Sequence, residues 1–147
     1  MKVAVSGAGG HVGACLVRLL LKRNHEVCVL VHTDSRALQG LDVETAKGSL
    51  EDVTVLQRLC HNREVVFHLA AKISIGGESY DEVYKVNMEG TKNLAAAARN
   101  AGVKRFIHFS SVHALEQNPQ GKPVDETRPL EESVTDTLEW FKKHQYL

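Results

Sequence analysis

Apolar and polar residues follow one another along the chain in blocks that predict strands and helices in turn. A short apolar run at 3–5 fits a buried parallel strand, and Leu16, Leu19 and Leu20 then recur at helical spacing. The same succession continues along the chain. It predicts five strands, at 3–5, 26–31, 43–47, 64–69 and 104–109. It also predicts helices at 14–22, after a capping segment at 49–52, over 79–100 and over 133–143.

Strands that alternate with helices predict an α/β domain built on a doubly wound parallel sheet, with right-handed crossovers and helices on both faces. In such a sheet the ligand crevice lies outside the carboxyl ends of the strands. Four segments are predicted to meet there: the glycine turn after the first strand, then 32–36, 69–72 and 109–111. At 147 residues the chain is predicted to form one domain.

Gly7, Gly10 and Gly13 are spaced as G-x-x-G-x-x-G between the first strand and the first helix. A glycine permits a tight turn, and without a Cβ atom it lets the backbone approach a diphosphate or a neighbouring strand. The first N–H groups of a helix favour an anion. A plain glycine turn is the alternative, but the position between a buried strand and an apolar helix favours a dinucleotide site.

Composition excludes several classes of partner. The chain carries 18 basic and 18 acidic residues, and this balance argues against nucleic acid and anionic membranes, which require a basic face. No apolar run approaches the length of a membrane span, and no signal peptide precedes the first strand, so a cytoplasmic protein is predicted.

Cys15, Cys28 and Cys60 are interpreted as buried thiols. No histidine pair has the spacing of a helical zinc site, so no metal is predicted.

Five segments resemble the extended short-chain dehydrogenase/reductases, the group of the NAD-dependent epimerase/dehydratases and the dihydroflavonol-4-reductase-like enzymes. They are SGAGGHVG at 6–13, VFHLAA at 66–71, VNMEGTKNL at 86–94, KRFIHFSSV at 104–112 and DETRPL at 125–130. The resemblance implies a Rossmann-type sheet of strand order 3-2-1-4-5 and an NAD(P) cofactor. It implies that the cofactor is bound by Gly7, Gly10, His11, Val12, Gly13, His32, Arg36, Ser49, Leu50, Leu69, Ala70, Ala71, Phe109 and Ser110.

The family's reaction uses a serine, a tyrosine and a lysine, with the tyrosine passing the proton while hydride moves to or from the nicotinamide. By resemblance, Ser111 is the serine and Lys142 stands at the lysine position. Leu138 occupies the place of the tyrosine, and leucine has no ionisable proton. The chain is therefore predicted to lack a complete catalytic set, and whether it is an enzyme stays open.

The resemblance also covers only the amino-terminal half of the family fold. Residues 1–147 are predicted to form a truncated NAD(P)-binding domain without the family's substrate domain, and the residues from 136 onward depart from the family pattern. Absence of the last two family strands would expose the apolar side of the fifth strand and the long helix, which favours a homodimer.

The residues at the end of the second strand indicate whether NAD or NADP is preferred. NAD-preferring relatives place a carboxylate there, whereas this chain has His32, with Asp34 slightly later. A basic residue near His32, with Arg36, suits the 2′-phosphate of NADP, so NADP is favoured over NAD.

Three functions remain open at this stage. The first is a reductase or epimerase/dehydratase-type enzyme. The second is a non-catalytic dinucleotide-binding sensor or regulatory module, which the intact glycine turn favours over the third. The third is a truncated remnant without an evolved function.

Overall fold

The computed structural model describes residues 1–73, 77 and 79–111, and it divides the chain into a first unit, Met1–His108, and a second, Phe109–Leu147. Of the second unit, residues 109–111 are described, and they lie in neither a helix nor a strand. The helix predicted over 133–143, together with Leu138 and Lys142, lies outside the described residues.

The first unit contains a five-stranded parallel sheet in which β1 is central. The strand order is β3-β2-β1-β4-β5, as predicted. Ala4 of β1 is in register with Cys28 on one side and Val66 on the other. The strands are β1 (Lys2–Ser6), β2 (Glu26–Val31), β3 (Glu44–Lys47), β4 (Val65–His68) and β5 (Arg105–His108).

In residues 1–73, 77 and 79–111, four α-helices accompany the sheet: α1 (His11–Lys22), α2 (Val53–Cys60), α3 (Tyr80–Tyr84) and α4 (Gly90–Asn100). A 3-10 turn at Arg36–Leu38 lies between β2 and β3. No helix in the part of the chain that the structure describes has the length and apolar character needed to cross a membrane.

The long helix predicted over 79–100 is interrupted by a π-helical turn, Lys85–Glu89, where the N–H of Gly90 donates to the carbonyl of Lys85. Inside this turn the side chain of Asn87 binds the backbone of Lys72. A π turn is rare in proteins and occurs frequently at functional sites. The apolar spacing predicts the helical residues on both sides of the turn, but it carries no information about such a tertiary contact.

Buried side chains pack on both faces of the sheet because successive strand residues point to opposite sides. One core joins Ala4, Cys28 and Val66 to Leu56 and Leu59 of α2 and Leu94 of α4. The other joins Val3, Val5 and Val29 to Val17 and Leu20 of α1. Full burial of each such aliphatic side chain stabilises the fold by roughly 1.5–3 kcal/mol.

The cysteines divide into two kinds. Cys28 and Cys60 are buried, and burial raises the pKa of their thiols to about 11 and about 12. Both are therefore protonated and unreactive near neutral pH. Cys15 is exposed, so its predicted burial is wrong. It follows buried Ala14 on α1, where one step along the helix turns the side chain away from the sheet.

Candidate dinucleotide-binding crevice

An open crevice of about 640 Å³ lies at the carboxyl ends of the strands in the first unit. The segments that follow β1, β2, β3 and β4 all contribute to its lining. Such a crevice is where open α/β sheets bind their ligands. It is lined by Gly7, Gly9, Gly10, Leu30, Val31, His32, Thr33, Asp34, Gly48, Ser49, Leu50, Glu51, Leu69, Ala70, Ala71, Lys72 and Val86.

Two glycines of the turn are required by the fold itself. Gly7 has φ +75°, and a Cβ atom there would stand 2.5 Å from the amide nitrogen of Ala70 and 2.6 Å from the carbonyl carbon of Leu69. A Cβ atom at Gly13 would collide with the carbonyl oxygen of Gly7. These two positions bring α1 and the loop after β4 against the end of β1, so the crevice floor is closely packed.

Gly10 differs from both. Its φ is −77°, a value open to any residue, and among the described residues a Cβ atom there would meet only the carbonyl oxygen of Gly7, at an ordinary 3.4 Å. The protein's own packing does not require glycine at this position. The missing side chain instead keeps the crevice open at the start of α1.

The start of α1 has no side-chain cap. Gly10 is its N-cap residue, and the first turn contains no acidic residue. By contrast, α2 begins at Asp52, whose carboxylate accepts a hydrogen bond from the N–H of Val55 at 3.0 Å. The first N–H groups of a helix carry a partial positive charge. The α1 start therefore offers unsatisfied donors to an anion.

The wall after β2 carries charge. His32, Thr33 and Asp34 line the crevice. The carboxylate of Asp34 accepts hydrogen bonds from Nε and Nη2 of Arg36 at 2.7 to 3.1 Å. These bonds from Arg36 lower the pKa of Asp34 to about 2. The Arg36 side chain is 85% exposed, so its guanidinium faces solvent beside the crevice.

The wall after β3 is formed by Ser49 and Leu50. The hydroxyl oxygen of Ser49 accepts a hydrogen bond from the N–H of Glu51 at 3.2 Å. Leu50 is 7% exposed, and its carbonyl oxygen accepts a hydrogen bond from Asn93 of α4 at 3.1 Å. Both residues are therefore held in place, with Leu50 giving this wall an apolar surface.

The wall after β4 is held by hydrogen bonds that its backbone makes with the backbone of Ser6 and with the side chain of Asn87. The N–H of Leu69 donates to the carbonyl of Ser6 at 3.1 Å. Asn87 binds Lys72 twice, accepting from its N–H at 2.7 Å and donating to its carbonyl at 2.9 Å. The residues between these two anchors, Ala70 and Ala71, present small side chains to the crevice.

The predicted site residues fall into three groups. Gly7, Gly10, His32, Ser49, Leu50, Leu69, Ala70 and Ala71 line the crevice. Four others do not line it: His11 and Val12, both exposed, Gly13, which packs against Gly7, and Arg36, which pairs with Asp34. Phe109, Ser110 and Ser111 belong to the second unit, and Lys142 lies outside the described residues.

Sequence reasoning missed several lining residues. Gly9 lies so close to the next loop that a Cβ atom would stand 2.8 Å from the carbonyl oxygen of Asp34. Its neighbour Gly10 in the motif was a signal that could have found it. Lys72 directly follows the VFHLAA segment, and Val86 opens the VNMEGTKNL segment. Among the described residues, no cluster of three His, Cys, Asp or Glu side chains could hold a metal ion.

A second depression, of about 500 Å³, lies at the amino ends of the strands. Its charged side chains already have partners: Lys2 lies 3.8 Å from Glu26, and Lys104 lies 3.9 Å from Glu64. The two edges of the sheet therefore differ. Ion pairs occupy the amino edge, where Nε of Arg63 is a buried donor with no hydrogen-bond partner among the described residues, whereas the carboxyl edge presents the uncapped N–H groups of α1.

Comparison with known proteins gives matches along nearly the whole chain. Residues 4–145 match the family model described as the 3-beta hydroxysteroid dehydrogenase/isomerase family. Sterol demethylase protein B of Methylococcus capsulatus is 42% identical over 123 residues, which cover 82% of this chain and 38% of that protein. A 3 beta-hydroxysteroid dehydrogenase/Delta 5→4-isomerase of Mycobacterium tuberculosis is 33% identical over 141 residues, covering 92% and 38%.

Solved structures agree with the sequence matches. A short-chain dehydrogenase/reductase superfamily protein from Agrobacterium tumefaciens, crystallised with bound NAD, is similar to this chain with a TM-score of 0.81 at 29% identity. The match covers 97% of this chain and 45% of that one. The chain thus spans less than half the length of each of these relatives.

Proposed function

Because the chain belongs to the 3-beta hydroxysteroid dehydrogenase/isomerase family, we propose that its first unit binds a nicotinamide dinucleotide in the crevice at the carboxyl ends of the strands. The observation that carries the proposal is Gly10. Glycine is not needed there for the protein's own packing, and it leaves the uncapped start of α1 open to the crevice. A diphosphate suits these donors, since it is an anion with several acceptor oxygens.

The residues present fit the cofactor's other parts. The apolar side chain of Leu50 offers a surface for a planar base, and His32 and Asp34 are placed to bind a ribose. Leu69, Ala70 and Ala71 leave room along the opposite wall. The cofactor would supply hydride chemistry, while these residues bind and orient it. The Agrobacterium relative's bound NAD supports the same assignment.

We favour NADP over NAD. Asp34, the carboxylate nearest to the end of β2, already accepts hydrogen bonds from Arg36. Arg36 is exposed beside the crevice and His32 lines it, so two potentially cationic groups stand near the place of a 2′-phosphate. Substituting Arg36 by Ala is expected to weaken NADP more than NAD.

Catalysis by this chain alone is not part of the proposal. Ser111 and Lys142 are the candidates for the family's serine and lysine, but Leu138 stands where the resemblance requires a tyrosine. We therefore assign cofactor binding to the chain. The free thiols of Cys15, Cys28 and Cys60 are consistent with a reducing compartment such as the cytoplasm.

The test is calorimetric titration of the full chain, and of two Gly10 variants, with NADP and NAD. Gly10→Asp places a carboxylate at the N-cap, where it caps α1 itself and repels a diphosphate. We expect it to fold normally and to weaken binding by more than about 100-fold, or about 2.7 kcal/mol.

Gly10→Asn is the matched control because asparagine also caps a helix and is nearly the same size, but it carries no charge. We expect it to weaken binding by about 10-fold. The difference in affinity between the two variants then measures the repulsion between the carboxylate and the diphosphate. Wild-type affinity in Gly10→Asp would contradict the placement of the diphosphate. A folded wild-type chain that binds neither cofactor would overturn the proposed function.

A further inference from the structure

A chain of side-chain hydrogen bonds runs beneath the crevice floor. Oγ of Ser6, at the end of β1, lies 2.6 Å from Nδ1 of His68, at the end of β4. Nε2 of the same imidazole lies 2.8 Å from Oγ1 of Thr91 in α4. Ser6, His68 and Thr91 are all buried, and the two histidine contacts connect residues 62 and 23 positions apart in the sequence.

The direction of donation along this chain is fixed at one end by a carbonyl group, which can only accept. The hydroxyl of Thr91 donates to the backbone oxygen of Asn87 at 2.6 Å. Its single proton is thus used, so Thr91 Oγ1 accepts from Nε2–H of His68. Nδ1 of His68 is then unprotonated and accepts from the hydroxyl of Ser6. Ser6 Oγ in turn accepts from the N–H of Ala70 at 3.4 Å.

Every donor and acceptor in the chain is satisfied only when His68 is neutral and carries its proton on Nε2. A second proton on Nδ1 would place two donors, the ring N–H and the Ser6 hydroxyl, against each other. The rings of Phe106 and His108 lie 5.9 and 5.2 Å from His68, centroid to centroid, and close its remaining side. Burial, with the nearby His108, lowers the pKa of His68 to about 3, which keeps it neutral.

Both ends of the chain reach the crevice walls. At one end, Ser6 directly precedes Gly7, and it also accepts from Ala70 in the loop after β4. At the other end, the backbone carbonyl of Asn87 accepts the hydrogen bond from Thr91. The side-chain amide of Asn87 is hydrogen-bonded to the backbone of Lys72. The glycine turn, the loop after β4 and the π turn are therefore joined through one imidazole.

We propose that His68 is a positioning residue for the dinucleotide site: its Nε2–H tautomer couples the glycine turn to the loop after β4, so that Thr91 and Asn87 control cofactor affinity without lining the crevice. The inference rests on the proposed function. It does not place His68 against the ligand, because His68 is fully buried and does not line the crevice.

The first test removes the hydrogen bond at the Thr91 end of this series of hydrogen bonds. Thr91→Val removes the hydroxyl and keeps the shape, and Thr91→Ser keeps the hydroxyl. We expect Thr91→Val to raise the dissociation constant of the dinucleotide about 10-fold and Thr91→Ser to restore it to within about 2-fold of wild type. Leu59→Val, a core change in α2 without a hydrogen bond in the chain, controls for lost stability and should leave affinity unchanged.

The second test needs no ligand. Long-range ¹H–¹⁵N spectra of the wild-type chain should show His68 with a protonated Nε2 and an unprotonated Nδ1. In Thr91→Val, hydrogen exchange of the Ala70 and Lys72 amides should accelerate by about 10-fold or more relative to Leu59→Val of equal stability. The opposite tautomer, or exchange no faster than in the control, would overturn the coupling.

The two proposals fail differently. A wild-type chain that binds no dinucleotide overturns both, whatever the tautomer. A wild-type chain that binds, with Thr91→Val binding equally well, overturns only the positioning role of His68. If Thr91→Val does not fold, His68→Gln keeps a donor near the Nε2 position and loses the acceptor for Ser6. It should then show faster exchange at Ala70 than at Lys72.

Discussion

The two sides of the crevice are held by opposite physical means. Beside β4, the loop is fixed by a buried, neutral chain of hydrogen bonds through His68. Beside β2, the loop carries an exposed ion pair between two of its own residues, Asp34 and Arg36. A buried neutral network is rigid and insensitive to salt, but leaving one of its groups unpaired is costly. An exposed ion pair adds little stability and can be exchanged for another partner.

This difference matches what each side would do in cofactor binding. The side beside β4 forms the floor under the glycine turn, where small displacements would close the crevice. The side beside β2 is where a ligand's phosphate or hydroxyl groups would compete for Asp34 and Arg36. A rigid wall after β4 and a wall after β2 whose ion pair can be exchanged together explain why one set of contacts is buried and the other exposed.

The largest effect is expected at Gly7, and Gly40 provides its matched control. Both have φ +75°, so alanine would be strained equally at each. At Gly7 the new Cβ atom would also stand 2.5 Å from the backbone of Ala70, whereas at Gly40 no atom of the part of the chain that the structure describes lies within 4 Å. We expect Gly40→Ala to lower the free energy of unfolding by about 1 kcal/mol and Gly7→Ala by about 3 kcal/mol or more. Equal losses in denaturant unfolding would show that the close approach at Gly7 contributes nothing.

The second largest effect is expected from acid, which should lower the free energy of unfolding through His68 of β4. The pKa of His68 is lowered from 6.5 to about 3 in the folded state, chiefly by burial. Between these values the unfolded chain binds a proton that the folded chain does not, so stability falls as pH decreases below about 6.5 and is constant in this respect above it. We expect a loss of about 1 kcal/mol per pH unit between pH 6 and pH 5.

His108 must be separated from His68 in that experiment. Burial also lowers the pKa of His108, which faces His68 and adds to the pH dependence in the same direction. Urea unfolding at several pH values should therefore be compared for wild type, His108→Gln and His68→Gln. A pH dependence that survives unchanged in His68→Gln would assign the effect to other groups.

The sequence predicted the parts of this arrangement that depend on local patterns. Alternating apolar blocks predicted the five strands, and the family resemblance carried by SGAGGHVG and VFHLAA implied their order. The observed strand order and the matched family confirm both. The glycine spacing predicted the turn between β1 and α1 because a strand–turn–helix junction is local, and Gly7 and Gly10 of that turn line the crevice. It could not separate Gly7, which the fold needs, from Gly10, which it does not.

Contacts between distant residues were not predictable in the same way. His68 stands in the apolar pattern of β4 and is buried, but its two hydrogen bonds depend on Ser6 and Thr91, which lie far from it in the sequence. The π turn at Asn87 depends likewise on a backbone 15 residues away. Helical spacing cannot reveal a turn that is widened to serve such a contact.

The smallest effect concerns the β2 side and tests whether its ion pair is exchangeable. Hydrogen bonds from Arg36 hold the pKa of Asp34 at about 2, so Asp34 should titrate there in carboxyl NMR spectra at low salt. At about 1 M salt the attraction is screened, and the pKa should rise towards 3.8, with no change in thermal midpoint. Saturating NADP should raise it as well, because the 2′-phosphate draws Arg36 away and adds negative charge beside the carboxylate. NAD lacks that phosphate and should leave the pKa low. Arg36→Gln removes the cation and should abolish the difference between the Asp34 pKa with NADP bound and that with NAD bound. If a difference persists, His32 and not the ion pair distinguishes the two cofactors.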